Sequence, residues 1–232
     1  MKITNLASYL DFGYHHPDAT QERIIDVCQA TIEYQLNSVF VNPFYVPLVK
    51  KTLNGQRKTG TVISFPLGQE TDALKRAALH ELLRMGADEF DVVVNIAYIK
   101  EHRWDDCLNE MKEFADIIHS FDQNKIIKCI PETGFLTDDE IKKMAELMIK
   151  AEVDFFKTCS GYGPRGATIK DVELIRAAVG EQIKIKVAGG ITTHHQAVKF
   201  IQAGANRIGT SRAVEIVTQG KVAFNKNSSG GE

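Results

Sequence analysis

The stretch that decides the fold is Asp154–Gly163, DFFKTCSGYG, in which a short apolar run delivers Lys157 and then breaks into glycines. A second stretch of the same kind, Ile183–Ile191 (IKIKVAGGI), places Lys186 near the end of an alternating run that also stops at glycines. Alternation with a period of two is typical of β-strands, and glycines after such a run mark a turn. We interpret both stretches as buried strands whose terminal lysines share one cleft.

Apolar, β-branched runs recur along the chain and alternate with amphipathic helical patterns, as in repeated βα units. Capping boxes at Thr137 and Thr193 mark two helix starts, and Thr71 precedes an apolar stripe that begins at Leu74. The sequence predicts eight strands: Leu6–Phe12, Val39–Asn42, Thr61–Phe65, Glu89–Val94, Ile126–Pro131, Phe155–Thr158, Ile183–Ala188 and Arg207–Gly209.

Regular alternation without a Pro-, Gly- or Ser-rich linker favours one closed (β/α)₈ TIM barrel of α/β class over an open doubly wound sheet. We assign residues 1–224 to this barrel. Residues 225–232 are expected to be a polar tail, disordered or foreign to the natural chain, outside the fold. Active sites of such barrels lie at the carboxyl ends of the strands, where both lysines are predicted.

Composition points to a small-molecule ligand. The 232 residues are 44% hydrophobic and 25% charged with a formal net charge of −2, so no basic field favours nucleic acid or an anionic membrane. Four widely spaced cysteines indicate free thiols in a reducing compartment. Neither a signal peptide nor a membrane-length apolar run is expected, and we predict a cytoplasmic protein.

Two lysines in one cleft favour Schiff-base chemistry, because desolvation or a neighbouring cation lowers the pKa of a lysine and leaves its amine nucleophilic. For either lysine alone, a solvated side chain at a strand end is the alternative. Asp91 lies in a predicted strand, where alternation puts it on one face with Val93 and Asn95. It is interpreted as a proton shuttle for the lysines or as a plain structural ion pair.

A phosphate site is predicted from glycines after two successive strands. Gly189-Gly190 follows the seventh strand, and Gly209 is followed by Ser211 and Arg212. Barrels commonly bind phosphate at this place through main-chain N–H groups. Arg212 is expected either to hold phosphate directly or to face solvent on a first helical turn. Nucleotide-binding fingerprints are absent from the sequence.

Two pairs of adjacent histidines, His15-His16 and His194-His195, raise the question of a metal site. Neighbouring side chains on a helix or strand splay apart and do not chelate by themselves, and no third ligand is signalled. We therefore expect neither a metal nor any other cofactor.

At these residues the chain resembles the deoxyribose-phosphate aldolase family, class I aldolases with a (β/α)₈ barrel. The resemblance implies that Lys157 is the Schiff-base lysine, that Lys186 lowers its pKa and that Asp91 belongs to the proton relay. It also implies a substrate-side role for Asp11 and a phosphate cradle that includes Gly161. The matching segments run nearly end to end: Leu10-Asp11, Pro17–Thr20, Val41–Pro43, Phe65–Gly68, Asp88–Val93, Glu132-Thr133, Asp154–Thr158, Lys186–Ile191 and Arg207–Ser211.

The implied activity is reversible, cofactor-free cleavage of 2-deoxyribose 5-phosphate to glyceraldehyde 3-phosphate and acetaldehyde, in a protein that could form a homodimer. The alternatives are a Schiff-base aldolase for another phosphorylated sugar and a catalytically silent sugar-phosphate binding barrel.

The chain departs from its family after the first strand. Where the family shows a run similar to Asp-His-Thr-Leu-Leu-Lys-Pro, residues 11–17 read DFGYHHP. Cys159 and Arg212 also differ from the serines usual there. We expect the changed segment Phe12–His16 to relax the fit around the acceptor aldehyde, with solvent-facing side chains in a longer loop as the alternative.

Overall fold

The computed structural model describes residues 5–219, and within them eight parallel strands close into a barrel. Each strand pairs with the next along the chain, and the last pairs with the first, so this sheet has no free edge. The predicted single (β/α)₈ TIM barrel is confirmed. The strands are β1 (Leu10–Tyr14), β2 (Ser38–Val41), β3 (Lys58–Ile63), β4 (Glu89–Val93), β5 (Ile126–Ile130), β6 (Phe155–Lys157), β7 (Lys184–Ala188) and β8 (Arg207–Thr210).

Helices surround the barrel and begin where the sequence supplies caps. Thr71, Thr137 and Thr193 each accept a hydrogen bond from the main-chain N–H three residues later, and the two predicted capping boxes are present. Helical residues 213–219 follow β8. The complete helices are α1 (Gln21–Glu33), α2 (Val46–Leu53), α3 (Asp72–Arg84), α4 (Ile96–Lys100), α5 (Trp104–Phe121), α6 (Asp138–Lys150), α7 (Ile169–Val179) and α8 (His194–Gln202).

Two strand starts were predicted wrongly. β1 begins at Leu10, because Leu6–Tyr9 forms a 3-10 turn in which Ser8 Oγ donates to Asn5 O at 2.9 Å. β3 begins at Lys58 and includes Gly60, a residue type that usually weakens a strand pattern. The other strand boundaries agree with the prediction to within two residues, the usual uncertainty of element boundaries.

Helix α3 packs most of its predicted apolar stripe against the core, with Leu82 buried, but its first turn differs from the prediction. Leu74 is 59% exposed, whereas Lys75 is buried. Lys75 Nζ donates to Glu110 Oε1 at 2.6 Å and to the main-chain oxygen of Val93 at 3.1 Å. The polar residue is therefore inside because it joins α3 and α5 to the end of β4, the strand that carries Asp91.

Phe40 fills the barrel interior because its neighbours across the sheet are glycines. It is the register partner of Gly13 on β1 and of Gly60 on β3, and it is almost fully buried. A Cβ atom on Gly60 would lie 2.4 Å from Phe40 Cζ. The ring beneath the carboxyl ends of the strands thus requires glycine at position 60.

The predicted tail, residues 225–232, and the last residues of the assigned domain lie outside the described range. No helix within residues 5–219 has the length and apolar character needed to cross a membrane.

Gly60→Ala is expected to lower the free energy of unfolding by about 1–3 kcal/mol, the usual cost of overpacking a filled core. Urea unfolding checks this. Adding Phe40→Leu to the same chain should recover part of the loss, because the smaller side chain removes the clash. Strictly additive losses would contradict the proposed contact.

Candidate active site

Lys157 and Lys186 meet over one carboxylate. They are register partners on β6 and β7, so their side chains leave the sheet side by side. Lys157 Nζ and Lys186 Nζ each donate to Asp91 Oδ2 at 2.8 Å. All three side chains are buried. The structure therefore brings together the three residues that the sequence placed at strand ends.

The lysine pair is attached to a larger arrangement, which we call the charged ring. Around the inside of the barrel basic and acidic side chains alternate in the order Arg207, Asp11, Lys186, Asp91, Lys128 and Glu89. In that order, consecutive N···O distances are 2.8, 2.8, 2.8, 3.4 and 2.5 Å, and a 3.8 Å contact from Glu89 back to Arg207 closes the ring. Lys157 stands outside the alternation and is bonded to the ring through Asp91.

The two lysines have opposite pKa shifts. Burial lowers the pKa of Lys157 below its ordinary value, and the nearby Lys186 adds to this, while the Asp91 carboxylate opposes both. Burial alone would also lower the pKa of Lys186, but attraction to Asp11 and Asp91 outweighs it and raises that pKa. Lys157 is thus the amine that loses its proton more readily.

Asp91 is held as a carboxylate. Burial alone would raise its pKa, but Lys157, Lys186 and Lys128 together keep the pKa far below the usual range of an aspartate. An ionised carboxylate accepts hydrogen bonds only, so Asp91 can hold the N–H groups of both lysines at the same time.

Sequence reasoning missed three members of the charged ring: Glu89, Lys128 and Arg207. A signal existed for two of them, since Glu89 precedes Asp91 by two residues and Arg207 precedes Gly209 by two, on the same strand faces. Asn95, predicted on the face of Asp91, instead caps α4 by accepting from Ala97 N at 3.1 Å. It lies two residues beyond the end of β4, so strand alternation no longer applies.

Every residue that the sequence analysis named as a site residue lines one cavity of about 280 Å³ at the carboxyl ends of the strands. Its floor holds the two lysines and Asp91. A cavity of this size suits a small phosphorylated aldehyde or sugar better than a nucleotide cofactor.

The predicted phosphate glycines form a close main-chain wall of this cavity. Gly161, Gly189 and Gly190 have φ angles of 93°, 87° and 76°, a region that favours glycine. A Cβ atom on Gly189 would lie 3.3 Å from Gly161 Cα. The loops after β6 and β7 therefore approach each other backbone to backbone and leave room for a ligand.

Two predicted binding residues, Gly209 and Asp11, contact the side chain of Lys186 directly. A Cβ atom on Gly209 would lie 3.0 Å from Lys186 Cε, so this glycine makes space for the lysine stem. Asp11, fully buried, accepts from Asn37 Nδ2 at 2.8 Å and from Ser38 Oγ at 2.7 Å besides its ring partners. Asp11 therefore lies deeper than a residue whose only task is to face substrate.

Ser211 and Arg212 stand exposed at the rim. Arg212 N donates to Thr210 Oγ1 at 3.0 Å, and its guanidinium Nη1 pairs with Glu215 Oε1 at 3.0 Å. The residue lines the cavity and is exposed, and it precedes the helical residues 213–219; its role in holding phosphate stays a prediction.

The altered segment Phe12–His16 lies partly in the site. His15 and His16 line the cavity, and the rings of Tyr14 and His16 are 4.8 Å apart. His194 and His195 instead begin α8. Across residues 5–219 no group of three or more metal-binding side chains is gathered in one place.

Comparison with known proteins places this geometry in a family. Residues 6–220 match the model of the DeoC/LacD family of aldolases. The chain is 41% identical over 220 residues to the deoxyribose-phosphate aldolase of Thermococcus kodakarensis, covering 94% of this chain and 97% of that protein. It is 38% identical over 218 residues to that of Dictyoglomus turgidum, covering 94% and 98%.

Solved structures show the same fold. An aldolase named QR15 superposes with a TM-score of 0.89 at 33% identity and covers 96% of this chain and 99% of that one. The deoxyribose-phosphate aldolase of Aeropyrum pernix, described as tetrameric, superposes with a TM-score of 0.86 at 26% identity and covers 94% and 92%. With the family match and these identities extending over nearly the whole chain, this protein belongs to the DeoC/LacD family of aldolases.

Proposed function

We propose that this protein is a deoxyribose-phosphate aldolase, a lyase that reversibly cleaves 2-deoxyribose 5-phosphate to glyceraldehyde 3-phosphate and acetaldehyde. One observation carries the proposal: a buried lysine amine with a lowered pKa opens into a cavity beside a second lysine and a shared carboxylate. The named relatives, deoxyribose-phosphate aldolases similar over nearly their whole length, support the choice of substrate.

Lys157 is the proposed nucleophile. Its neutral Nζ adds to the C1 aldehyde of the open-chain sugar, and loss of water from the carbinolamine gives a protonated imine. As the C3 hydroxyl gives up its proton, the C2–C3 bond breaks, its electron pair forms an enamine, and C3 leaves as the aldehyde carbon of glyceraldehyde 3-phosphate. Protonation of the enamine at C2 and hydrolysis of the imine release acetaldehyde and the free amine.

Asp91 and Lys186 are proposed to move the protons of this cycle, together with bound water. Asp91 Oδ2 is hydrogen-bonded to both lysine nitrogens, so a proton leaving Lys157 has an acceptor and a neighbouring donor in place. Lys186, whose pKa is raised, remains the cation that stabilises negative charge developing on oxygen.

The phosphate group is proposed to bind at the main-chain wall beside the rim. Gly161, Gly189 and Gly190 line the cavity there and are the proposed main-chain donors to phosphate, and Ser211 is proposed to add a hydroxyl. Arg212 adds positive charge at the edge, and Gly209 lies below it. The main-chain wall and Lys157 line the same cavity, so one small substrate is proposed to bind both, with its phosphate at the wall and its aldehyde at Lys157.

A cytoplasmic location and a homodimer are also proposed. The four cysteines are buried free thiols, which supports a reducing, cytoplasmic location. A homodimer stays a prediction.

Treatment with acetaldehyde and borohydride is expected to ethylate Lys157, which peptide mapping would locate. Lys157→Ala should bring turnover to background, while Lys184→Ala, an exposed lysine on β7, serves as the matched control and should retain activity. A residual rate within about tenfold of the unmodified enzyme, 1.4 kcal/mol in barrier, would rule out the covalent mechanism.

Lys186→Leu is expected to shift imine formation to higher pH. Removing a nearby positive charge raises the pKa of Lys157, and the amine reacts only when unprotonated. The pH profiles of borohydride trapping in the two proteins give the comparison, with circular dichroism as the control for folding. Superimposable profiles from folded proteins would mean that the lysines are not coupled.

Ser211→Asp is expected to raise KM for deoxyribose 5-phosphate and to leave imine formation with acetaldehyde unchanged. The new carboxylate repels the phosphate group but lies at the rim, away from Lys157. Ser211→Asn, nearly the same in shape and uncharged, is the matched control. Equal losses with both ligands would argue against a phosphate site at this residue.

A further inference from the structure

His15 carries a polar atom whose function in the cavity is unassigned. Its Nδ1 is buried and has no hydrogen-bond partner among residues 5–219, although the residue lines the cavity. Asn42 Nδ2 donates to the main-chain oxygen of His15 at 3.3 Å. Buried polar atoms are nearly always paired, so an unpaired nitrogen on a residue that lines a ligand cavity suggests a partner supplied by the ligand.

The imidazole and the proposed nucleophile lie near the same aromatic ring. The ring centroids of His15 and Phe65 are 5.2 Å apart, and Lys157 Nζ lies 5.5 Å from the centroid of the same Phe65 ring. The ring of His15 also folds back over Gly13, where an added Cβ would be 3.4 Å from Nε2. His15 and Lys157 therefore flank one aromatic side chain at the mouth of the barrel.

The imidazole is uncharged there. Burial, together with the neighbouring Lys157 and Lys186, lowers the pKa of His15 to about 3, with only Asp91 and Asn42 acting in the opposite direction. A neutral imidazole has one N–H donor and one nitrogen acceptor. It is suited to a hydroxyl group, which also donates and accepts, and is a weak partner for a phosphate dianion.

We propose that His15 binds the hydroxyl group next to the carbonyl of the acceptor aldehyde and so gives the enzyme a preference for α-hydroxy aldehydes. This inference rests on the proposed aldolase function. The acceptor's carbonyl carbon must reach the enamine on Lys157, and its phosphate end is assigned to the main-chain wall. The α-hydroxyl lies between these ends, next to the carbonyl. We place it at the part of the cavity that His15 and Lys157 line.

The test compares two acceptors of equal carbon number, lactaldehyde and propanal, which differ by the α-hydroxyl, with acetaldehyde as donor. His15→Phe keeps a ring against Phe65 and removes both nitrogens. We expect it to reduce the ratio of kcat/KM for lactaldehyde to that for propanal by about threefold to tenfold, the value of one hydrogen bond. His15→Asn, which keeps a donor and an acceptor, should restore part of the ratio. His80→Phe, at an exposed position on α3, is the matched control and should leave the ratio unchanged.

Borohydride trapping of acetaldehyde on Lys157 is measured in the same proteins to separate the two proposals. Intact trapping with an unchanged ratio in His15→Phe, or with equal losses on both acceptors, would overturn the role of His15 alone. Absence of trapping in the unmodified protein would overturn the aldolase mechanism and this inference with it.

Discussion

Alternating ion pairs inside the barrel are the constraint on which the site depends. Each member of the charged ring has an oppositely charged neighbour on either side, so a buried charge is compensated in two directions. Removing one partner of a buried pair typically costs about 3–5 kcal/mol, because the remaining charge is left without compensation. The ring therefore fixes the positions of Asp91 and Lys186 by electrostatics and leaves them little freedom to rotate away.

The same ring explains why the pKa of the Lys157 amine is lowered. Its three acidic and three basic members balance in formal charge, so a proton on Lys157 adds an uncompensated positive charge to the interior. Burial and Lys186 disfavour that proton, and Asp91, the main group that favours it, is already shared with two other lysines. Lys186 is different because two carboxylates hold its proton. One pair of adjacent lysines thus divides into an amine with a lowered pKa and an amine with a raised pKa.

Sequence alone could predict the barrel, the strand-end lysines and the inward position of Asp91, because each follows from local periodicity and from the known location of sites in such barrels. Lys128, Glu89 and Arg207 could not be placed so easily. A charged residue in a short strand is usually exposed. Strand alternation gave a signal for Glu89 and Arg207 but none for Lys128, and the pairing register was needed to show that three strands turn these residues to a common interior. Lys75 was missed for the same reason, since its buried partner is 35 residues away in sequence.

The glycines of the strands complete the argument, because the ring needs space as well as charge. Gly60 admits the Phe40 ring, and the face of that ring lies 3.5 Å from Lys186 Nζ, a cation–π contact that orients the ammonium without accepting its proton. Gly209 gives the stem of Lys186 room from the other side. Gly13, the register partner of Phe40 on β1, lets His15 fold back over the cavity wall. Gly13 continues β1 beside Phe40, and the polar ring of His15 packs over the same glycine. The departure of the 12–16 segment from its family therefore changes residues that contact the barrel interior.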